Sequence, residues 1–171
     1  MEELKEKIRD IPDFPQKGIL FKDITTLLSD TKAYKRAIDI LKDRYTDRQI
    51  ELVVCVEARG FLIGGALAYV LNSGVTLIRK PGKLPYTTYK ASYELEYGKN
   101  EVEIHTDAIK PGQRVLIVDD LLATGGTVGA AIELVKKLGG EIVELAFLIE
   151  LTFLSGRDKL KDYDIYSLIQ F

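Results

Sequence analysis

Apolar residues along this 171-residue chain follow two patterns. Short unbroken runs occur at Leu52–Val56 and Val115–Val118, as expected of strands covered on both faces, and the mainly apolar stretches Val75–Ile78 and Ile142–Ile149 read as further strands. The closing stretch YDIYSLIQF offers one more short strand. Between the runs the apolar positions take helical intervals. Ala33, Tyr34, Ala37, Ile38 and Leu41 predict a helix from Lys32 to Tyr45, and a run rich in small residues predicts another from Gly60 to about Leu71. A third extends from about Gly126 to Leu138, where Gly139–Gly140 ends it. Near the start, Leu4, Ile8 and Ile11 predict a short amphipathic helix that stops at Pro12. Strands alternating with helices predict an α/β fold, a mostly parallel twisted sheet with helices on both faces. No repeat, low-complexity tract or linker interrupts it, so residues 1–171 read as a single domain.

From Lys80 to about Val102 the pattern changes. Prolines, glycines and four tyrosines (Tyr86, Tyr89, Tyr93, Tyr97) replace any helical period. The second half alternates, which suggests a β-hairpin turning at Gly98–Asn100. A long segment with many hydroxyls and charges and no continuous apolar face is expected to be a flexible lid.

Composition narrows the function by exclusion. With 24 basic and 26 acidic residues the formal net charge is -2, which leaves no electrostatic footprint for nucleic acid or an anionic membrane. Cys55 and His105 each stand alone, so an internal disulfide, a His/Cys zinc site and Cys–His catalysis lack their parts. Cys55 reads as a small buried hydrophobe. The charged N-terminus lacks the apolar core of a signal peptide, and no apolar run reaches the roughly 20 residues of a membrane span. A cytoplasmic protein is expected.

The informative run is VLIVDDLLATGGT, Val115 to Thr127. Asp119 and Asp120 fall at the carboxyl end of a buried strand, the edge where open parallel sheets bind ligands. Neighbouring carboxylates repel one another, and burial penalises both. A vicinal diol gives them a purpose, since carboxylates accept hydrogen bonds from ribose hydroxyls. The residues Ala123, Thr124, Gly125, Gly126 and Thr127 then lead into a helix. Small residues let backbone N–H groups close on an anion, and a helix N-terminus favours negative charge. Diol acceptors followed by a phosphate cradle describe a ribose 5-phosphate. A plain strand–turn–helix junction is the bland reading, and the whole run outweighs it. Glu57-Ala58-Arg59-Gly60 ends another strand. Arg79, Lys80 and Lys83 form a basic cluster suited to a leaving pyrophosphate.

This run resembles the phosphoribosyl pyrophosphate (PRPP) signature of the type I phosphoribosyltransferase family. FPQKGILFKDIT, VEARGF, RKPGKLP, YELEYG and YSLIQF resemble its adenine branch, in order, over nearly the whole chain. The resemblance implies a base-binding hood at residues 1–30, a flexible lid hairpin at 80–105, and purine salvage: adenine and PRPP giving AMP and pyrophosphate. It implies that Arg59 and its loop hold pyrophosphate, with Lys80 beside Arg79 and Lys83. It further implies that Glu96 moves a proton while Tyr97 packs over the site. Backbone groups of Leu20 and Lys22 would read the adenine edge, with Phe21 on the ring. Mg²⁺ would be bound mainly through PRPP, with no metal ligands from the protein, and the chain would form a homodimer. A 6-oxopurine transferase would need a different base loop and lid, and LEYG argues against it. A non-catalytic PRPP-sensing regulator would typically need a nucleic-acid-binding surface, for which net charge gives no support.

Overall fold

Five of the apolar runs lie side by side as one parallel sheet in the computed structural model, which describes residues 1–95 and 98–171. These strands are β3 (Leu52–Val56), β4 (Gly74–Ile78), β7 (Arg114–Leu122), β8 (Glu141–Glu150) and β9 (Ile165–Gln170), in the order β4-β3-β7-β8-β9. Val53, Cys55, Leu116 and Val118 pack under α3 (Thr31–Tyr45) and α4 (Gly60–Leu71). Leu52, Val54, Val56, Val115 and Ile117 pack on the other side under α5 (Gly126–Lys137). Alternate residues of β3 and β7 therefore enter opposite cores, which is why Leu52–Val56 and Val115–Val118 carry no polar positions.

Helix ends and close contacts follow from single residues. Asp30 caps α3, its carboxylate accepting the N–H groups of Lys32 and Ala33 at 3.0 Å each. Helix α4 sits so near β3 that a Cβ on Gly64 would overlap the Cys55 sulfur. Cys55 is fully buried, and burial first, then the Asp119 charge, pushes its thiol pKa up to about 12.

Three local expectations are corrected. The opening helix is only α1 (Glu2–Lys5); Arg9–Pro12 is a strand, β1, paired antiparallel with β2 (Leu20–Asp23). Leu4 and Ile8 are buried, as the helical spacing required, but cross-strand pairing of Arg9 with Asp23 and Asp10 with Lys22 holds the next residues extended. Helix α2 (Thr25–Ser29) then leads into α3. The hairpin exists as β5 (Thr88–Leu95) and β6 (Gly98–His105), yet Gly98 and Asn100 pair with Leu95 and Tyr93 instead of forming the turn. It also has an apolar face: Ala91, Val102 and Ile104 are buried in the α5 core, and the Lys137 ammonium lies 4.3 Å from the Tyr89 ring. Last, β7 runs past Val118 to Leu122, so Asp119 and Asp120 lie within the strand's paired length.

Strand order sets the site. Counted within the sheet it is 2-1-3-4-5, whose switch point falls between β3 and β7. Chain connections leave that point in opposite directions, opening a crevice at the strand carboxyl ends.

Candidate active site

The crevice brings together the ends of β3 and β7. Asp119 is almost fully buried, and its Oδ1 accepts the backbone N–H of Asp120 at 2.8 Å. Burial first, then the adjacent Asp120 charge, holds its pKa well above the usual carboxylate range, against the pull of that N–H and of Arg59. Asp120 is neutralised directly, its Oδ2 lying 2.6 Å from Arg59 Nε. Helix α4 can start here because residue 60 lacks a side chain: a Cβ on Gly60 would sit 2.9 Å from Asp119 Oδ1 and 3.2 Å from the Val118 carbonyl.

The Arg59 guanidinium also lies 5.2 Å from the centre of the Phe21 ring, within cation–π range. Phe21 meets Phe14 edge to face at 5.1 Å. The hood carrying these rings is anchored at Asp23, whose carboxylate accepts from Arg9 Nη2 at 2.5 Å, Thr25 N at 3.0 Å and Thr25 Oγ1 at 2.8 Å. Those bonds, Arg9 first, hold the Asp23 pKa at about 2. Leu20 is exposed. The Lys22 side chain is spoken for: its ammonium bonds Asp10 Oδ1 at 2.6 Å and lies 4.0 Å from the Phe171 ring. Only backbone groups of Lys22 remain for a ligand.

On the other side of the carboxylates, Asp119 and residues 121–128, Ala123, Thr124, Gly125, Gly126 and Thr127 among them, line a cavity of about 60 Å³. Its small residues and the backbone N–H groups at the start of α5 suit a compact anion. Gly125 precedes α5 with φ +80, and its Cβ would come within 2.8 Å of the Gly156 carbonyl. A Cβ on Gly156 would in turn overlap the Ala123 carbonyl. The cradle therefore has a floor, the 3-10 turn Gly156–Lys159. That floor is tied to β8 by a two-pronged pair, Arg157 Nε and Nη2 donating to Glu150 at 2.6 and 2.7 Å.

Arg79 is already engaged within the protein. It does not stand free in a cationic cluster: its Nε lies 3.0 Å from Glu57 Oε2, and Nη1 donates to the Lys83 carbonyl at 3.3 Å. Lys80 and Lys83 are exposed and make no ion pair among the described residues. Glu96 and Tyr97, expected to move a proton and cover the site, lie outside the described residues. Gly156, Arg157, Asp23, Asp10 and Phe171 escaped the sequence reading. Only Asp23 had a signal, the Asp-x-Thr pattern of a side chain capping the backbone two residues on.

A magnesium ion would find little protein to hold it. Among the described residues no three His, Cys, Asp or Glu side chains gather. Asp119 and Asp120 are the hard oxygen donors of the crevice, which fits an ion bound mainly through substrate oxygens.

Known proteins now separate this site from other phosphate cradles. The phosphoribosyl transferase domain model matches residues 23–170. The adenine phosphoribosyltransferase of Geotalea daltonii is 61% identical over 171 residues, covering 100% of both chains.

The chain belongs to the adenine phosphoribosyltransferase family.

Solved adenine phosphoribosyltransferases share the whole architecture. The enzyme of Thermoanaerobacter pseudethanolicus superposes with a TM-score of 0.97 at 56% identity, covering 99% of each chain. That of Saccharomyces cerevisiae, solved with an imino-altritol bisphosphate and adenine, gives 0.92 at 41% identity over 98% of this chain and 97% of that one.

Proposed function

We propose that this chain converts adenine and PRPP to AMP and pyrophosphate. The observation that carries the reading is an order in space: aromatic hood, then paired carboxylates, then anion-sized cradle. Arg59 joins the first two by touching both Phe21 and Asp120. Base, ribose and phosphate follow each other in AMP in the same order.

Adenine packs on Phe21 while backbone groups of Leu20 and Lys22 read its edge. Asp119 and Asp120 take the ribose hydroxyls, and N–H groups from Ala123 to Thr127 hold the 5-phosphate at the start of α5. Lys80 and Lys83 beside Arg79, and Arg59 with its loop, face the pyrophosphate. A ring nitrogen of adenine forms the bond to the anomeric carbon as the bond to pyrophosphate breaks. Glu96 takes the proton that adenine sheds, and Tyr97 covers the site. When bound, Mg²⁺ screens the pyrophosphate oxygens and eases their departure. The hairpin excludes water that would otherwise hydrolyse PRPP.

Two further expectations belong to the same proposal. A homodimer is supported by apolar side chains left exposed together on α4 and its edge neighbour β4, namely Leu62, Tyr69, Val75 and Leu77. Sedimentation of the protein and of Tyr69→Glu, which should dissociate, tests it. Cytoplasmic placement matches the soluble substrates; among the described residues no helix is long and apolar enough to cross a membrane.

The deciding assay offers adenine, hypoxanthine, guanine and xanthine side by side with PRPP. Adenine should be consumed with equimolar pyrophosphate release. Faster turnover of a 6-oxopurine, or no turnover with tight PRPP binding, would overturn the assignment.

A further inference from the structure

Glu103 is a charged residue buried in β6, with a relative exposure of 3%, and the chemistry above makes no use of it. Its contacts lead to the basic segment at the end of β4 and to its partner across the hairpin. Oε2 accepts the backbone N–H of Gly82 at 3.2 Å. Oε1 lies 3.0 Å from the ammonium of Lys90, its partner across the hairpin. Its backbone makes a reciprocal bridge with Arg79, Arg79 N to Glu103 O at 3.0 Å and Glu103 N to Arg79 O at 2.7 Å. Arg79 then closes the turn by donating to the Lys83 carbonyl. A buried carboxylate is costly unless its oxygens are bonded, and here both are. One of the bonds fixes Gly82, whose φ of +76 few other residues adopt.

We propose that Glu103 is a positioning residue: its carboxylate and backbone hold the Arg79–Lys83 turn so that Lys80 and Lys83 present their charges to pyrophosphate. The inference rests on the reading of that turn as the pyrophosphate side of the site. It also makes the turn and the hairpin one mechanical piece.

AMP lacks pyrophosphate, which gives the test its contrast. Calorimetry would compare PRPP and AMP binding in Glu103→Leu, Glu103→Gln, Gly82→Ala, Lys80→Ala and Lys83→Ala. Losing a hydrogen bond to a charged group corresponds to about tenfold to a hundredfold. Glu103→Leu should weaken PRPP by that factor and raise its KM, with AMP affinity within about twofold of the parent. Glu103→Gln, whose carbonyl can still accept from Gly82, should restore most of the loss. A Cβ on Gly82 meets open space, so Gly82→Ala disturbs only the turn's backbone and stays folded even if Glu103→Leu does not. Strain of a left-handed alanine should cost PRPP roughly fivefold or more, again without AMP. Parallel loss of PRPP and AMP, or no loss of PRPP, overturns the positioning role. If Lys80→Ala and Lys83→Ala both leave PRPP affinity intact, the pyrophosphate reading of the turn itself falls. If they weaken PRPP while the Glu103 and Gly82 variants do not, only the positioning inference falls.

Discussion

Neighbouring carboxylates in β7 have opposite environments, and their variants should differ accordingly. Asp120 is matched by Arg59, so Asp120→Asn removes a charge-assisted bond and leaves the guanidinium unpaired. AMP and PRPP binding should weaken about tenfold to a hundredfold, read by calorimetry. Asp119 is buried with a raised pKa, so its charge opposes folding. A carboxyl whose folded pKa lies above its unfolded value stabilises the native state least once pH has risen past both. Asp119→Asn should therefore raise the melting temperature at neutral pH while still weakening ribose binding. A fall in melting temperature would show that the Asp119 charge is compensated. Glu96→Gln keeps size but cannot exchange a proton near neutrality. It should lower kcat by about two orders of magnitude with PRPP and AMP affinities little changed; loss of affinity at constant kcat would make Glu96 a binding residue.

At the scale of elements, the cradle and the 3-10 turn beneath it behave as one piece. A side chain at residue 125 would strike the Gly156 carbonyl before it could obstruct an anion. Gly125→Ala should lower both AMP affinity and stability, the latter by at least the roughly 1–2 kcal/mol of a left-handed alanine. Denaturant titration beside AMP calorimetry checks this; lost affinity at full stability would mean obstruction alone. The sequence reading located the cradle because Gly and Thr before a helix have a local cause. It could not find Gly156, which meets Ala123 and Gly125 more than 30 residues earlier in the chain, or Arg157, whose pairing with Glu150 depends on the intervening turn. The core strands were legible because doubly buried strands need unbroken apolar runs. The hood strand Arg9–Pro12 was not, since its extended shape comes from ion pairs with β2, and the helical spacing of Leu4 and Ile8 pointed the other way. The hairpin's buried face also went unread: Ala91, Val102 and Ile104 reach the core only because α5 lies under them.

For the whole molecule, three of the carboxylates with lowered pKa values tie the hood, the cradle floor and the sheet to their neighbours. Asp23 anchors the hood, Glu150 the cradle floor, and Glu144 joins β8 to α3 through a fork with Arg44 at 2.8 and 2.5 Å. Asp23 falls from 3.8 to about 2; Glu144 and Glu150 fall below 4.5, burial pushing up but their arginine bonds winning. Groups of this kind stabilise fully above their unfolded pKa, and the contribution disappears as pH drops through the folded value. As these three groups protonate, urea midpoints should fall steeply from about pH 5 towards pH 2. Glu144→Gln should lower the neutral midpoint and flatten part of the acid slope; an unchanged slope would assign it to other groups.

The sulfur wedged between β3 and Gly64 offers a different use. No reagent in solution can touch the Cys55 thiol while β3 and α4 remain together, and its raised pKa keeps it unreactive. The lone thiol is thus a natural clock for rare openings of the sheet centre. A chromogenic disulfide should label the native protein only as fast as that region opens. Saturating AMP should slow labelling in proportion to 1 + [AMP]/Kd, because the ligand binds across the two strand ends that must part. Fast labelling indifferent to AMP would place the opening in a local breath of α4, one that leaves the nucleotide site closed.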